Sequence, residues 1–164
     1  MWSKSPVPIV QIRRFELADK EAIRKLVGQI MDGEFKEDKE AFTFEDLDYL
    51  EKHYGNFGEA FFVAEEEGRV VGTTGVKRED DRIALIRRIF VTPDYRKKQI
   101  GSRLLNRAID FCREVGYREL IFRTTSRMTA AIELVKKQGF QSRAKVPMGR
   151  VELLKFTLSL DAKK

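Results

Sequence analysis

Pro93 divides the stretch of this chain that most limits how it can fold. Ile83 to Val91 is β-rich, and Thr92-Pro93-Asp94 stops it, because proline has no N–H for a ladder and holds its predecessor extended. Beyond the stop, Ile100, Leu104, Leu105, Ala108, Ile109 and Cys112 recur at helical spacing as far as Gly116, a C-terminal cap. A strand is therefore delivered through a short loop into the N-terminus of an amphipathic helix. The fold must accommodate that unit.

The remaining segments alternate around it. Ile9 to Phe15 reads as a strand, Asp19 as a helix N-cap, and Ala22, Ile23, Leu26, Val27, Ile30 and Met31 as one helical face. A loop near Asp32-Gly33 leads to a second, short helix over Phe44 to His53. Phe61-Phe62-Val63-Ala64 and Val70-Val71-Gly72-Thr73 predict a hairpin turned at Gly68. After the central unit come a buried strand at Leu120-Ile121-Phe122, a helix marked by Ala131, Leu134 and Val135 and closed by Gly139, and strands over Phe140 to Val146 and Val151 to Leu160 that turn at Pro147-Met148-Gly149. The order β-α-α-β-β-β-α-β-α-β-β mixes hairpins with crossovers. It predicts an α/β (α+β) fold, a mixed and mostly antiparallel sheet of about seven strands flanked by about four helices.

The loop has its own chemistry. The first N–H groups of a helix have no intrahelical partner, and the helix dipole adds partial positive charge there. Arg96, Lys97 and Lys98 bring three cations to that place, and Gly101 allows a close backbone approach, which suits a pyrophosphate. The alternative is a solvated tip at Lys97 and Lys98 with Gly101 packed on the sheet. The loop is neither a Walker A loop nor a three-glycine dinucleotide fingerprint.

Charge is unevenly spread. Ile86 to Arg107 holds seven basic residues and one acid, whereas Met31 to Glu51 holds nine acids and two lysines, in a chain of net charge +6. At 164 residues the length suits one domain, 1–164, with residues 1–6 as a flexible terminus and Trp2 in it. No apolar run approaches the roughly 20 residues of a membrane span, and no secretion signal is visible, so the cytoplasm is the default location. Cys112 is the only cysteine and His53 the only histidine, which excludes an intrachain disulfide and argues against a metal site. The Cys112 position on an apolar stripe reads as core, and the twelve phenylalanines read as packing.

Arg87-Arg88-Ile89-Phe90-Val91-Thr92-Pro93-Asp94-Tyr95-Arg96-Lys97-Lys98-Gln99-Ile100-Gly101-Ser102-Arg103-Leu104-Leu105 resembles the acyl-CoA signature of the GNAT superfamily of N-acetyltransferases. About 35 residues further on, Ala131 to Phe140 is similar to that family's late helix ending in Gly-Phe, and the first sixty residues match in element pattern only. The resemblance implies an enzyme that moves acetyl from acetyl-CoA directly to an amine, small molecule or peptide. It implies coenzyme A in a V-shaped opening between the strand ending at Val91 and the strand at Leu120 to Arg123. Backbone groups of Ile89, Phe90 and Val91 would meet the pantetheine, and the loop of Arg96, Lys97, Lys98, Gln99, Ile100, Gly101 and Ser102 the pyrophosphate. Gln99 stands where the family's first loop glycine is usual, which ordinary helical dihedrals at Gln99 would accommodate. The expected partners are acetyl-CoA and an amine acceptor, with no metal and no membrane, nucleic acid only under the alternative given below, and a homodimer admitted.

The chain departs from the family at the reaction centre. Val135 replaces a frequent tyrosine acid, Met128 a frequent asparagine, and Leu85, Arg87 and Arg123 stand at places where relatives carry glutamate. Candidate bases are Glu34, near the loop that borders the acceptor in this family, and His53, each with a plain surface role as the alternative. Arg87 and Arg123 are candidate acceptor-binding residues for an amine that also carries an anion. Two other classes stay open. One is a non-catalytic CoA-binding regulator of the same fold, and the other is a basic module that holds RNA or another polyanion.

Overall fold

The computed structural model describes residues 9–36, 38 and 43–161. The reading of residues 1–6, and the charges of Glu37, Lys39 and Glu40, lie outside them. Seven strands form one sheet in the order β1-β2-β3-β4-β5-β7-β6. They are β1 Gln11–Arg14, β2 Ala60–Glu66, β3 Arg69–Arg78, β4 Ile83–Val91, β5 Glu119–Thr125, β6 Gln141–Met148 and β7 Val151–Ser159. Every neighbouring pair is antiparallel except β4 and β5, which are parallel. The helices are α1 Lys20–Glu34, α2 Glu45–Asp48, α3 Leu50–Tyr54, α4 Ile100–Val115 and α5 Thr129–Lys137. The mixed α/β sheet expected from the element order is thus present.

The sheet separates two apolar layers. On one side Ile100, Leu104, Leu105, Ala108 and Cys112 of α4 and Val135 of α5 pack with Phe62, Val71, Ile86, Leu120 and Phe156. On the other, Ile23, Leu26, Val27, Ile30 and Met31 of α1 pack with Leu47, Leu50, Tyr54, Phe61 and Val63. Each Val, Leu, Ile, Phe or Met side chain among them, fully buried, is worth about 1.5–3 kcal/mol. The β2–β3 hairpin turns on Glu67 and Gly68, both left-handed (φ 51° and 81°), the twist that matches two-residue hairpins. Helix α4 stops at Gly116 (φ 104°), whose N–H donates to the Cys112 carbonyl at 3.1 Å.

Two expectations need correction. The helix over Phe44 to His53 is two short helices broken at Tyr49 (φ −133°, ψ 57°), so Asp46 and Leu47 of one and Leu50 and Tyr54 of the other are all buried. This break raises the helix count from about four to five among the described residues. Asp19 does occupy the N-cap of α1, but its carboxylate makes no side-chain cap on that helix. It accepts instead from the Glu16 N–H at 2.7 Å and from the Arg13 guanidinium at 2.8 and 3.0 Å. A nearby guanidinium offers more than a helix N–H.

Candidate active site

Strands β4 and β5 pair from Ile83 beside Glu119 to Ile86 beside Phe122, and there the pairing ends. Each continues, β4 to Val91 and β5 to Thr125. The opening between them is lined by Arg87, Ile89 and Phe90 on one wall and by Arg123, Thr124, Met128 and Ala131 on the other. Its cause lies in β4. Thr73 pairs with Phe90 and Gly75 with Arg87, so Arg88 and Ile89 together oppose Thr74, which is a β-bulge. Arg88 takes φ 59° there. A side chain in the left-handed region costs about 1–2 kcal/mol, so the surroundings must hold it.

They do so on both sides. The Thr73 hydroxyl donates to the Arg88 carbonyl at 2.8 Å and the Thr74 hydroxyl to the Arg87 carbonyl at 3.3 Å. The Arg88 side chain, 7% exposed, turns to the α2 layer, where its Nε and Nη2 reach the two Asp46 oxygens at 3.1 and 2.6 Å. Nη2 also donates to the Thr43 carbonyl, and Tyr54 Oη donates to Asp46 at 2.5 Å. Burial disfavours an Asp46 carboxylate, but Arg88, with Tyr54 and Arg87, outweighs it and holds the carboxyl below its ordinary range. Burial in turn raises the Tyr54 hydroxyl well above the ordinary tyrosine value. Tyr54 reaches this place because residue 75 is glycine: a Cβ there would lie 2.8 Å from the Tyr54 ring and 3.0 Å from the Phe61 ring.

The loop after β4 runs through a 3-10 turn, Pro93–Tyr95, and then through left-handed Lys97 (φ 63°) and Gln99 (φ 68°, ψ 10°) into α4. Gln99 therefore does not adopt the ordinary helical dihedrals that would accommodate it in place of glycine. A glycine would take this conformation without a Cβ penalty. The Arg103 N–H is the first to close an α-helical bond, onto the Gln99 carbonyl at 3.0 Å, so the N–H groups of Ile100, Gly101 and Ser102 are left as the helix's outward donors. Lys97 and Lys98 are exposed beside them. Gly101 has a packing reason as well, since a Cβ there would lie 3.2 Å from Leu134 of α5.

Arg96 contributes differently from the three-cation reading. Its Nε donates to the Val91 carbonyl at 2.9 Å, and its two Nη atoms grip both Glu34 oxygens at 2.8 and 2.9 Å. The Arg96 charge is answered by Glu34 in a pair whose side chains are each 34% exposed, and is not a free cation of the loop. Glu34 accordingly lies at the loop and outside the lining of the opening, with neither oxygen free of the guanidinium. His53 lies in α3, its Nε2 4.0 Å from a Glu45 oxygen, also outside the lining. The structure brings Arg87, Ile89, Phe90 and Arg123 together on the opening, but not Glu34 or His53. Val135 is fully buried in the core, whereas Met128 and Ala131 of the same chain segment face the opening. Among the described residues no group of three or more His, Cys, Asp or Glu side chains is placed to hold a metal ion.

Two groups near the site were not singled out from sequence. Asp46 was one of nine acids in its segment. A pair of arginines inside an otherwise apolar strand was the available signal, because a guanidinium buried there calls for a carboxylate. Asp38, wholly buried, takes a hydrogen bond from Thr125 Oγ1 at the end of β5 and lies 3.2 Å from Arg127 Nε. Nothing local in the sequence distinguishes it.

The opening, the bulge and the basic loop that leads into α4 all lie along β4 and its continuation. The profile of the acetyltransferase (GNAT) family matches residues 26–140. Camello of Xenopus tropicalis, named as an N-acetyltransferase, is 37% identical over 69% of this chain and 50% of its own length. YjgM of Escherichia coli, also named as an N-acetyltransferase, is 29% identical over 84% of this chain and 83% of its own. The chain thus spans about half the length of camello. Among solved structures, a GNAT-family acetyltransferase of Staphylococcus aureus superposes with TM-score 0.81 and 24% identity over 93% of this chain and all of that one, a likeness of fold. The yncA protein of Salmonella typhimurium, solved with its cofactor acetyl-CoA, superposes with TM-score 0.76 and 26% identity over 94% and 95%.

Proposed function

The chain belongs to the GNAT acetyltransferase family, and we propose that it moves acetyl from acetyl-CoA to an acceptor amine that also carries an anionic group. Acetyl-CoA as the co-substrate is supported by the family match and by the acetyl-CoA-bound neighbour. The residues that would hold it are the backbone groups of Ile89, Phe90 and Val91 beyond the bulge and the loop from Lys97 to Ser102 at the start of α4. Its thioester supplies an activated acetyl group. The chain's part is to align the amine, exclude water and accept a developing negative charge.

Transfer is direct in this reading. The only thiol of the chain, Cys112, is fully buried, and burial pushes it up to about 12, which removes it as a covalent carrier. Glu34 is assigned to the loop through Arg96 and not to the amine proton. His53 has no place on the lining either.

The acceptor assignment rests on Arg87 and Arg123. Ile86 and Phe122 are partners in the last parallel register, so the next residues, Arg87 and Arg123, project from the two diverging walls on the same face. Lys155 is the β7 partner of Arg123 on that face. Arg87 has Asp46 at 4.0 Å, whereas no carboxylate among the described residues pairs with Arg123. Two guanidiniums here repel a polyamine and favour a carboxylate-bearing amine such as an amino acid or an acidic peptide end. The test is acetylation of spermidine against amino acids and peptides, scored by thiol release, in wild type, Arg87→Ala and Arg123→Ala. The expected result is a preference for anionic acceptors that both variants weaken. A clear preference for spermidine, or unchanged preference in both variants, ends the proposal.

A further inference from the structure

The Arg88–Asp46 pair joins two parts of the molecule that the acetyl-transfer reading treats separately. Arg88 belongs to β4, the donor wall, and Asp46 to α2, on the opposite layer from α4. The bulge at Arg88 begins two residues after the last β4–β5 partner, Ile86, so the opening and the bulge have one origin. The Arg88 carbonyl and that of Arg87 before it are already engaged from β3 by Thr73 and Thr74. What remains to justify a left-handed arginine inside a sheet is its side chain. That side chain is spent on Asp46, 4% exposed, and on the Thr43 carbonyl, not on solvent.

We propose that Asp46 is a positioning residue for donor binding: by holding the Arg88 guanidinium from α2 it fixes the left-handed turn of β4, and so aims the backbone of Ile89 to Val91 into the opening. This deepens the acetyl-CoA reading and rests on it. Without the carboxylate, Arg88 has no reason to stay left-handed. An ordinary extended residue 88 moves the rest of β4 by one side-chain alternation and takes its N–H and C=O groups off the ligand. Tyr54, donating to the same carboxylate, orients it.

A plain stabilising ion pair would also link α2 to β4, and glycine distinguishes the two. Glycine adopts positive φ without help, so Arg88→Gly should restore the bulge even where Asp46 no longer holds it. The experiment measures acetyl-CoA affinity by calorimetry, KM and kcat, and Tm, for wild type, Asp46→Asn and the double variant Asp46→Asn/Arg88→Gly. Asp46→Asn should weaken acetyl-CoA about tenfold, or about 1.4 kcal/mol, mostly in KM. The double variant should recover to within about threefold of wild type without recovering Tm. If Asp46→Asn does not fold, the double variant against wild type decides, with near-native affinity supporting the proposal and a tenfold loss overturning it. A double variant no tighter than the single one, or an Asp46→Asn protein that binds as wild type does, overturns it as well. Wild type that fails to bind acetyl-CoA overturns the proposed function itself, a result that cannot be mistaken for the others.

Discussion

Replacing Gln99 by glycine should make the protein more stable, although it removes a side chain and places glycine next to a helix. Gln99 is exposed, makes no side-chain cap on α4, and sits at φ 68°, ψ 10°. For an L-residue with a Cβ, that conformation costs about 1–2 kcal/mol, and glycine removes the cost. Against this, glycine gives the unfolded chain more freedom, a loss of about 0.4–1 kcal/mol. The balance is a gain of about 0.5–1 kcal/mol, and for a chain of this size each kcal/mol moves Tm by about 2–4 °C. Gln99→Gly should therefore melt about 1–4 °C above wild type, with the urea midpoint raised at unchanged slope. Gln99→Ala is the control, because it removes the same polar group but keeps the Cβ. It should melt at or slightly below wild type. If Gln99→Gly melts no higher than Gln99→Ala, the strain attributed to position 99 is absent and the argument fails.

Four further outcomes follow from the same geometry. Tyr54→Phe takes one donor from the buried Asp46 carboxylate and should cost about 1–3 kcal/mol, read as a fall in the urea midpoint; an unchanged midpoint would mean the bond contributes nothing. The carboxyls of Asp19, beside Arg13, and Asp46, beside Arg88, are lowered in the folded protein, so their contribution is complete above the ordinary aspartate value near 4 and is lost as pH falls through the lower folded values. Tm should accordingly drop in that acid window, and less steeply in Asp46→Asn. Cys112, raised to about 12 by burial, should resist thiol reagents at pH 8 in the native protein and react once urea unfolds it; prompt native labelling would contradict its placement. Lys98→Ala should weaken acetyl-CoA by about 1–2 kcal/mol, the size of one charge-assisted contact, and an unchanged dissociation constant would remove Lys98 from the donor site.

The fold was legible wherever a pattern repeats along the chain. The α4 stripe from Ile100 to Cys112, the Pro93 stop and the Gly68 turn each impose their structure within a few residues, so local reading recovered them. The family signature lies in that same local stretch. Residue 99 shows where such reading ends. Lys97 and Gln99 both take left-handed backbone, and neither residue type announces it, because the dihedral is set by how β4 must hand the chain to α4. The loop at Tyr49 likewise breaks a helix whose sequence spacing would have allowed it to continue.

The site was less legible for a related reason: its decisive contacts are long in sequence. Glu34 and Arg96 are 62 residues apart, Asp46 and Arg88 are 42 apart, and each partner sits among several like charges that a linear reading cannot rank. Seen one at a time, Arg88 is a basic residue in a basic window and Asp46 an acid in an acidic one. The structure joins the two windows. At two points the acidic segment reaches across to the basic one, through Glu34 at the loop and Asp46 at the bulge, and both points flank the same strand, β4, at its end and at its bend. Opposite charges placed so far apart along the chain therefore brace β4 from the helices of the other layer. Among the described residues Arg123, on the other wall of the opening, has no such carboxylate partner, and the acceptor anion proposed above would supply one.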